Sequence, residues 1–478
     1  MMDTILGQNE ITFKELEKKI FQFICWFGVE LTKLVLEGKD VELHKSRDTK
    51  KYRDKGFRVT TIKTLYGDVT YRRHVYQTSD EGGKKYFIYL LDEALKLDKI
   101  GLMSINFAEK IADSVTENSF RVAAESLTST TGQSISAGGA WKVTQRLGER
   151  ICEEEKQMVK EMDADVQKPE KEVKILFEEM DGVWLKMQGK DHKKIPKQEV
   201  KVACTYEGWD EDTKVSRLCG KKVLAGIEGS KEFHAKREAQ IRSTYDTDEI
   251  QYRILNGDGG SWINDPYESE VVYQLDPFHV RKAIREKINR DEEARSDIEV
   301  LYEAGETDVM LDYIEMYANS VDTGDEKDKR AERAWELYKY LSNNKDGLLS
   351  YKERGFTLPE APEGMRYGNM GVQENQNCTV ITMRMKGKRK RWSPEGGNHM
   401  AKLLYKKENK ELHQVVERYA EELIWNFEQS EIVNILSAAK APKKDGKGNA
   451  YLDIMNMRIP MKDAERTAVR NEFLKIFG

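Results

Sequence analysis

The sequence predicts a mixed α/β protein, α+β when its whole length is considered. Three observations lead to this fold class. The N-terminal residues carry apolar side chains at helical spacing, a basic pair of β-type runs follows, and three further β-type runs precede alternating helices and strands. At 478 residues the chain is longer than one hydrophobic core usually organises, so we expect two or three domains.

The composition describes a folded protein with a highly charged surface. Hydrophobic residues make up 39% and charged residues 34%, and the mean hydropathy is -0.72. The five cysteines form no CxxC pair, which argues against a zinc ribbon or a disulfide framework and favours a reducing cytoplasm. The first residues lack the basic segment and apolar core of a signal peptide, so we expect no membrane association. The net charge of -5 does not exclude a nucleic-acid partner, because 79 lysines and arginines can cluster locally.

A first domain is predicted over residues 1–103. Apolar residues at three- and four-residue steps, among them Leu16, Ile20 and Phe23, predict a long helix over 13–37. Residues 57–76, FRVTTIKTLYGDVTYRRHVY, alternate and are rich in β-branched and aromatic types. We expect a basic hairpin there, with its turn at Gly67-Asp68.

Residues 104–160 form a second predicted region, built of short helices. Capping residues are expected at Thr116 and Ser136, each before an apolar helical stripe. Three short helices with a tight turn before the last are typical of a helix-turn-helix, and equally of a small bundle with no DNA role. In the DNA-binding interpretation four side chains of the last helix face outward: Trp141, Lys142, Gln145 and Arg146.

A β-rich core begins after a charged connector. Three β-type runs over 173–187, 199–209 and 221–229 are followed by a helix near 230–245 and by two more strands. That order is the one expected of a ribonuclease H-like mixed sheet. We expect this core in two parts, 170–280 and 366–405, separated by an acid-rich helical insertion over 281–365 and followed by a C-terminal helical region over 406–478.

Three acids stand at predicted element boundaries beside small residues: Asp181, Asp258 and Glu374. Asp181 is expected to end the first strand of the core, with Glu178 and Glu179 as local rivals. Asp258 follows the strand RILNG, where glycines leave room for a ligand backbone or simply make a turn. Glu374 lies in the first turn of a predicted helix, a position where an acid can also only compensate the helix dipole.

Clustered carboxylates resist sharing a site unless a divalent cation neutralises them. Hard oxygen ligands favour Mg²⁺ or Mn²⁺ over zinc. Two such ions, about 3.5 to 4 Å apart, would activate a water or a DNA 3′-hydroxyl for in-line attack on a phosphodiester. The three acids therefore predict metal-assisted phosphodiester chemistry.

The motifs YGDVTYRR, EEMDGVW, NGDGGSW, GVQEN and WSPEGGNHM extend over nearly the whole chain. Through them the sequence resembles bacterial insertion-sequence transposases of the Lre type, which are relatives of the Mutator-like group. The resemblance implies an acidic-triad (DDE) transposase whose three acids fall on Asp181, Asp258 and Glu374, with Glu395 in WSPEGG as a rival for the third. It also singles out Asp276 and His279 in LDPFH, which would orient the metal ligands or grip DNA; a pair that only caps the following helix is the alternative.

Further residues are candidates for contact with DNA. The basic run after the helix of Glu374 would hold phosphates beside the metals, although most such runs are only solvated surface. Trp262 and Trp335 would stack on an unpaired base, although most tryptophans belong to a core. The basic run consists of Lys386, Lys388, Arg389, Lys390 and Arg391.

The function expected from the sequence is that of a DNA transposase. Such an enzyme binds the terminal inverted repeats of its element, cleaves the strands with two Mg²⁺ or Mn²⁺ ions, and joins the 3′ ends to target DNA. It would act as a homodimer or higher homo-oligomer in the bacterial cytoplasm, associated with the nucleoid when bound to DNA. A ribonuclease H-like nuclease without joining activity and a transposase-derived DNA-binding protein without catalysis are the alternatives.

Overall fold

The computed structural model describes residues 12–96, 103–189, 193–212, 217–263, 271–324 and 328–419. The chain divides into two compact units, Met1–Arg146 with Gln414–Gly478 and Leu147–His413. Most of the predicted C-terminal helical region lies outside the described residues. The structure bears out the mixed α/β class, with a helical and antiparallel first unit and a mixed sheet in the second.

The first unit begins with a long helix and an antiparallel sheet, as the sequence predicts. Thr12 and Glu15 form a capping box at the start of helix α1, which runs from Phe13 to Ser46. Pairing of Thr64 with Gly67 closes the hairpin, so its turn lies two residues earlier than expected. The three strands of this sheet lie in the order β1-β2-β3: β1 is Arg53–Thr64, β2 is Gly67–Ser79 and β3 is Lys85–Ile88.

Helices follow this sheet: α2 Leu90–Leu95, α3 Ile105–Glu117, α4 Phe120–Thr130 and α5 Ala137–Asp163. Ser136 caps α5 as predicted, since its hydroxyl accepts the N–H of Gly139 at 3.0 Å. The predicted cap at Thr116 is wrong. Thr116 lies inside α3, where its hydroxyl donates to the carbonyl of Asp113, and Ser119 caps α4 instead.

The second unit contains a five-stranded mixed sheet in the order β10-β9-β4-β5-β8. Strand β4 is parallel to β9, which is parallel to β10, whereas β5 is antiparallel to both β4 and β8. A small second sheet has the order β11-β6-β7. The strands and the helix between them are β4 Ile175–Lys186, β5 Lys197–Tyr206, β6 Gly208–Asp210, β7 Leu218–Cys219, β8 Lys222–Gly226, α6 Ser230–Thr244, β9 Tyr252–Gly257, β10 Val271–Leu275 and β11 Met365–Arg366.

Four helices fill the stretch where the sequence predicts a helical insertion. They share an apolar core that includes Ile284, Ile298, Ile314 and Leu337. These helices are α7 Pro277–Lys287, α8 Glu292–Glu303, α9 Thr307–Ser320 and α10 Arg330–Asn343.

The chain then returns to the sheet through a helix with a π-helical turn over Asn377–Thr382. Single 3₁₀ turns occur at Thr247–Glu249 and Lys345–Gly347. Among the described helices, none combines the length and the apolar character that crossing a bilayer requires. The last helices are α11 Gln373–Gln376 and α12 Met383–Met385, on either side of the π-helical turn, then α13 Pro394–Glu408 and α14 Leu412–Tyr419.

Candidate metal centre

Strand register in the second unit brings Asp181 and Asp258 together. The parallel pairing of β4 with β9 ends at Met180 opposite Gly257. The residue that follows each of these in the sequence is an aspartate, Asp181 after Met180 and Asp258 after Gly257. Asp181 does not end its strand, contrary to the prediction. Strand β4 continues beyond Asp181 and pairs with β5 as far as Lys186. Asp181 therefore lies just past the point where the pairing of β4 with the parallel strand β9 ends.

A histidine from the next element joins the two acids. Strand β10 ends at Leu275, Asp276 donates its backbone N–H to the carbonyl of Gly257 at 2.7 Å, and His279 lies in the first turn of α7. One ligand atom each from Asp181, Asp258 and His279 lies within 4.8 Å of the other two. The sequence treats His279 as an accessory, whereas the structure makes it a member of the group.

Asp276 orients this histidine. Its Oδ2 lies 2.7 Å from Nδ1 of His279, while its Oδ1 accepts the side-chain amide of Asn256 at 3.3 Å. With Nδ1 held, Nε2 is the nitrogen that His279 offers to a ligand. Asp276 precedes α7, but its side chain makes no capping hydrogen bond to this helix. The alternative in which the pair only caps the helix is therefore not what the structure shows.

The group is electrostatically suited to a cation. Asp181 is 9% exposed, and burial raises its pKa to about 6, with the charge of Asp258 acting in the same direction. Burial alone would lower the pKa of His279, but the hydrogen bond to Asp276 and the charges of Asp276, Asp181 and Asp258 raise it. A bound divalent ion would offset both the burial of this carboxylate and the smaller repulsion from Asp258.

Asn377, which the sequence analysis missed, holds Asp181 in place. Its side-chain amide donates to Oδ2 of Asp181 at 2.6 Å, and the N–H of Gly182 donates to Oδ1 at 2.6 Å. Asn377 opens the π-helical turn three residues after Glu374. The sequence contained a signal for Asn377. GVQENQN holds Glu374 and Asn377 three residues apart, a spacing that puts both on one face of a helix.

The two candidates for the third acid are not members of this group. Glu374 is exposed in the first turn of α11, and Glu395 is exposed in the first turn of α13. Within the part of the chain that the structure describes, the group of converging ligand atoms around Asp181 contains neither. Glu374 as a third metal ligand therefore stays a prediction.

Glu199 is an acid that the motifs did not single out, and it lies close enough to Asp258 to be affected by its charge. It lies on β5, and its carboxylate covers the Cα of Gly182, where any Cβ would overlap it. Burial raises the pKa of Glu199, and the charge of Asp258 raises it further. Glu199 pairs with Trp184 across the strands and so leaves the sheet on the opposite face from Asp181.

The rival acids Glu178 and Glu179 are occupied by protein partners. The buried carboxylate of Glu179 accepts the hydroxyl of Tyr206 at 2.6 Å and the backbone N–H groups of Gly371, Val372 and Gln373. It therefore anchors the start of α11 on β4. Glu178, also buried, accepts the guanidinium of Arg253 at 2.8 Å.

At Gly257 and Gly259 the expected room for a ligand backbone is occupied by the chain itself, whereas at Gly260 the nearest side chain is that of Asp258. A Cβ at Gly257 would overlap the side chain of Ile263. Gly259 has φ +85 and packs against Tyr340, whose hydroxyl donates to the carbonyl of Asp258 at 2.9 Å. The space is filled by the chain itself, which fixes the loop that presents Asp258.

The predicted DNA-contacting residues differ in exposure. On α5, Trp141 and Lys142 are exposed, whereas Gln145 and Arg146 are half-buried. Trp262 is half-buried, with the Nζ of Lys201 5.3 Å from its ring, and Trp335 is 38% exposed. Their contacts with DNA stay predictions. In the basic run after α12, Lys390 is half-buried and the exposed members are Lys386, Lys388, Arg389 and Arg391.

The substitution Asp276→Asn is expected to weaken Mn²⁺ binding about 10- to 100-fold, the usual cost of losing a carboxylate that orients a ligating histidine. Isothermal titration with Mn²⁺ measures it. Asp346→Asn, which neutralises an exposed acid outside this group, is the matched control and should bind like the wild type. Equal affinity in all three proteins would show that the charge of Asp276 does not support metal binding through His279.

Comparison with known families supplies a further observation. Residues 6–421 match the uncharacterised protein family UPF0236. The chain belongs to this family. A relative from Streptococcus gallolyticus, the UPF0236 protein in the vanSb 3′ region, is 27% identical over 72% of each chain. A UPF0236 protein of Caldanaerobacter subterraneus is 22% identical over 87% of this chain and 86% of its own, and its name joins eleven locus designations.

One solved structure is similar in part. It is the Drosophila P element transposase strand transfer complex, which matches 67% of this chain and 85% of its own at 10% identity and a TM-score of 0.20. A TM-score that low establishes no common fold, and nothing about this chain follows from it.

Proposed function

We propose that this member of UPF0236 is a DNA transposase of an insertion sequence, which binds the terminal inverted repeats of its element and catalyses metal-dependent strand cleavage and strand transfer. The observation that carries the proposal is the convergence of Asp181, Asp258 and His279 within 4.8 Å. Two aspartates that neighbouring parallel strands bring together form the kind of site that phosphodiester chemistry with divalent ions needs.

The sheet supports this proposal. Its order, β10-β9-β4-β5-β8 with only β5 reversed, is the arrangement expected of a ribonuclease H-like core. The first acid lies on the central strand β4 and the second directly after the adjacent strand β9. In such a core the four helices α7 to α10 form the insertion between the second acid and Glu374.

The relatives support the mobile character of the gene. A relative whose name joins eleven loci of one organism belongs to a repeated gene, and repetition within a genome is expected of an insertion sequence. A housekeeping nuclease gives no such expectation.

The residues present fit a hard divalent ion. Asp181 and Asp258 supply the oxygen ligands that suit Mn²⁺ or Mg²⁺, and His279 adds one nitrogen, which suits Mn²⁺ better than Mg²⁺. When bound, such ions activate a water or a DNA 3′-hydroxyl and stabilise the leaving oxygen. The protein's own part is positioning: Asn377 holds Asp181, Asp276 holds His279, and Tyr340 holds the loop of Asp258. Glu374 is the proposed third acid, and the backbone N–H of the preceding Gln373 is bonded to Glu179 of β4.

The test is an assay of the purified full-length chain on duplex DNA that carries the sequences flanking its gene, with Mn²⁺ or Mg²⁺. Strand cleavage followed by joining of the 3′ ends to a second DNA is the expected result. Nicks without joined products would indicate a nuclease, and binding without cleavage would indicate a derived DNA-binding protein; either outcome would overturn the proposal. DNA with scrambled ends is the control for recognition.

A further inference from the structure

We propose that the first unit contains a second metal site, in which His44, His74 and Asp54 bind a transition-metal ion of the zinc class. One ligand atom from each of these residues lies within 4.8 Å of the other two. All three belong to the unit Met1–Arg146, whereas the acid site belongs to Leu147–His413, so this inference is independent of the proposed function.

Three elements contribute one ligand each. His44 is in the last turn of α1, His74 is on β2 and Asp54 is on β1. The rings of His44 and His74 are stacked with centroids 4.0 Å apart. The site therefore lies where the end of the long helix meets the basic hairpin.

A β-bulge delivers Asp54 to this place. The register of β1 on β2 shifts between Asp54, which pairs with Tyr76, and Phe57, which pairs with His74. Residues an odd number of positions apart normally point to opposite faces of a strand, and only the bulge lets Asp54 and Phe57 share the face of His74. Gly56 makes the bulge possible with φ +86.

A buried carboxylate orients His74. Asp40 is 2% exposed, and its side chain lies 2.5 Å from Nδ1 of His74 and accepts the backbone N–H of the same residue at 3.1 Å. With Nδ1 held by Asp40, the nitrogen left for a metal is Nε2. This is the arrangement that Asp276 makes with His279 in the second unit.

His44 is held in the same way by a neutral partner. Its Nδ1 lies 3.2 Å from the hydroxyl of Tyr76, which again leaves Nε2 for a metal. Both histidines therefore have one nitrogen fixed by the protein and one to offer, and both fixing groups belong to α1 or β2. The hydrogen bond at Nδ1 fixes which nitrogen of each ring is available to an ion, although the ring planes still have to change their angle on binding.

The donor set decides the class of metal. Two imidazole nitrogens and one carboxylate suit Zn²⁺ and its transition-metal neighbours rather than Mg²⁺. Asp54 is exposed, so water has access to a further coordination position. An ion bound through both rings lies in the plane of each, so we expect the rings to open from their 17° angle on binding. The ion would join the end of α1 to the hairpin.

The experiment is a titration of the full-length chain with Zn²⁺ by calorimetry and with Co²⁺ by visible absorption, in an Asp258→Asn background that weakens the acid site. We expect one high-affinity equivalent in this background. His44→Asn should weaken it at least 100-fold and remove the Co²⁺ bands, and Asp40→Asn should weaken it about 10- to 100-fold. His413→Asn, which removes another exposed histidine, should bind like the parent.

His74 is buried, so His74→Gln alone could fail by unfolding. His44 is half-buried and Asp54 is exposed, so His44→Asn and Asp54→Asn test the site without that risk. Circular dichroism of both metal-free variants should match the parent. If the parent takes up no Zn²⁺, or if these two folded variants bind it like the parent, the proposal is wrong and the rings are a stacked aromatic pair only.

Discussion

Asp258→Asn is expected to reduce DNA strand cleavage on the order of 10³-fold, the scale of losing a group that stabilises transition-state charge. The amide keeps the shape of the carboxylate but removes its negative charge from the group formed with Asp181 and His279. Cleavage of end-labelled DNA in Mn²⁺, followed on denaturing gels under single-turnover conditions, measures the effect. The binding of the same DNA should change little, which separates catalysis from recognition.

A second readout distinguishes a local role from general damage. The charge of Asp258 contributes to the raised pKa of Asp181, although burial contributes more. In Asp258→Asn the pKa of Asp181 should therefore fall below about 6 while remaining above its ordinary value, as followed by NMR. Asp212→Asn neutralises an exposed acid of the same unit and should leave both cleavage and this pKa unchanged. Full cleavage by folded Asp258→Asn protein would remove the acid pair from the mechanism.

The same assay identifies the third acid. Glu374→Gln should reduce cleavage by a factor similar to that of Asp258→Asn if the exposed carboxylate on α11 completes the site when DNA and metal bind. Glu199→Gln tests the neighbour of Asp258 that the structure adds, and Glu395→Gln tests the acid on α13. Retention of cleavage in Glu374→Gln would exclude Glu374 as the third acid, and Glu199→Gln should cleave DNA like the wild type, because Glu199 leaves the sheet on the opposite face from Asp181.

Local sequence was sufficient for most of the helices and strands and for two acids of the group that the structure brings together. An apolar run followed by an acid and a glycine marks Asp181, and the same pattern marks Asp258. The hairpin could be predicted because its alternating residues lie within one stretch, but its turn was placed two residues too late, since Gly67 and Asp68 already pair with Thr64 and Lys63. The cap at Thr116 was misplaced because Ser119 is an equally good capping residue, and only the position of the helix break decides between them.

Contacts between residues that are distant along the chain could not be predicted from local sequence patterns. Glu178, Glu179 and Asp181 look alike in EEMD, and only Arg253 and the start of α11 show that the first two are structural. His279 enters the group because β10 ends beside β9, and pairing between strands is not visible in one sequence. The glycines beside Asp258 were assigned to a ligand because the sequence does not show that Tyr340 and Ile263 fill that space.

The largest effect on stability is expected from a buried cluster of four charges in the second unit. Lys402 on α13 is fully buried, and its Nζ lies 2.9 Å from Glu155 of α5 and 2.5 Å from Glu228. Lys236 of α6 contacts the same two acids at 3.1 and 2.7 Å. Two ammonium groups thus balance the two buried carboxylates, and Lys236 also contacts the partly exposed Glu232 at 2.9 Å. Burial alone would raise the pKa of Glu228, but the charges of Lys402 and Lys236 lower it. The ionised carboxylate of Glu228 therefore stabilises the fold at neutral pH, and this contribution is lost as the pH falls through the lowered pKa.

Lys402→Met is expected to destabilise the second unit by about 3 to 5 kcal/mol, because it leaves two buried carboxylates with one cation. The double variant Lys402→Met/Glu228→Gln restores the balance of charge and should recover part of the loss. Urea unfolding at neutral pH measures both, and Lys282→Met, at an exposed lysine of α7, should stay within about 0.5 kcal/mol of the wild type. If Lys402→Met unfolds at the same urea concentration as the wild type, or if the double variant is less stable than the single one, the balance of charge does not stabilise this cluster. Recovery in the double variant would show that the cost arises from the unpaired acid rather than from lost packing of the lysine stem.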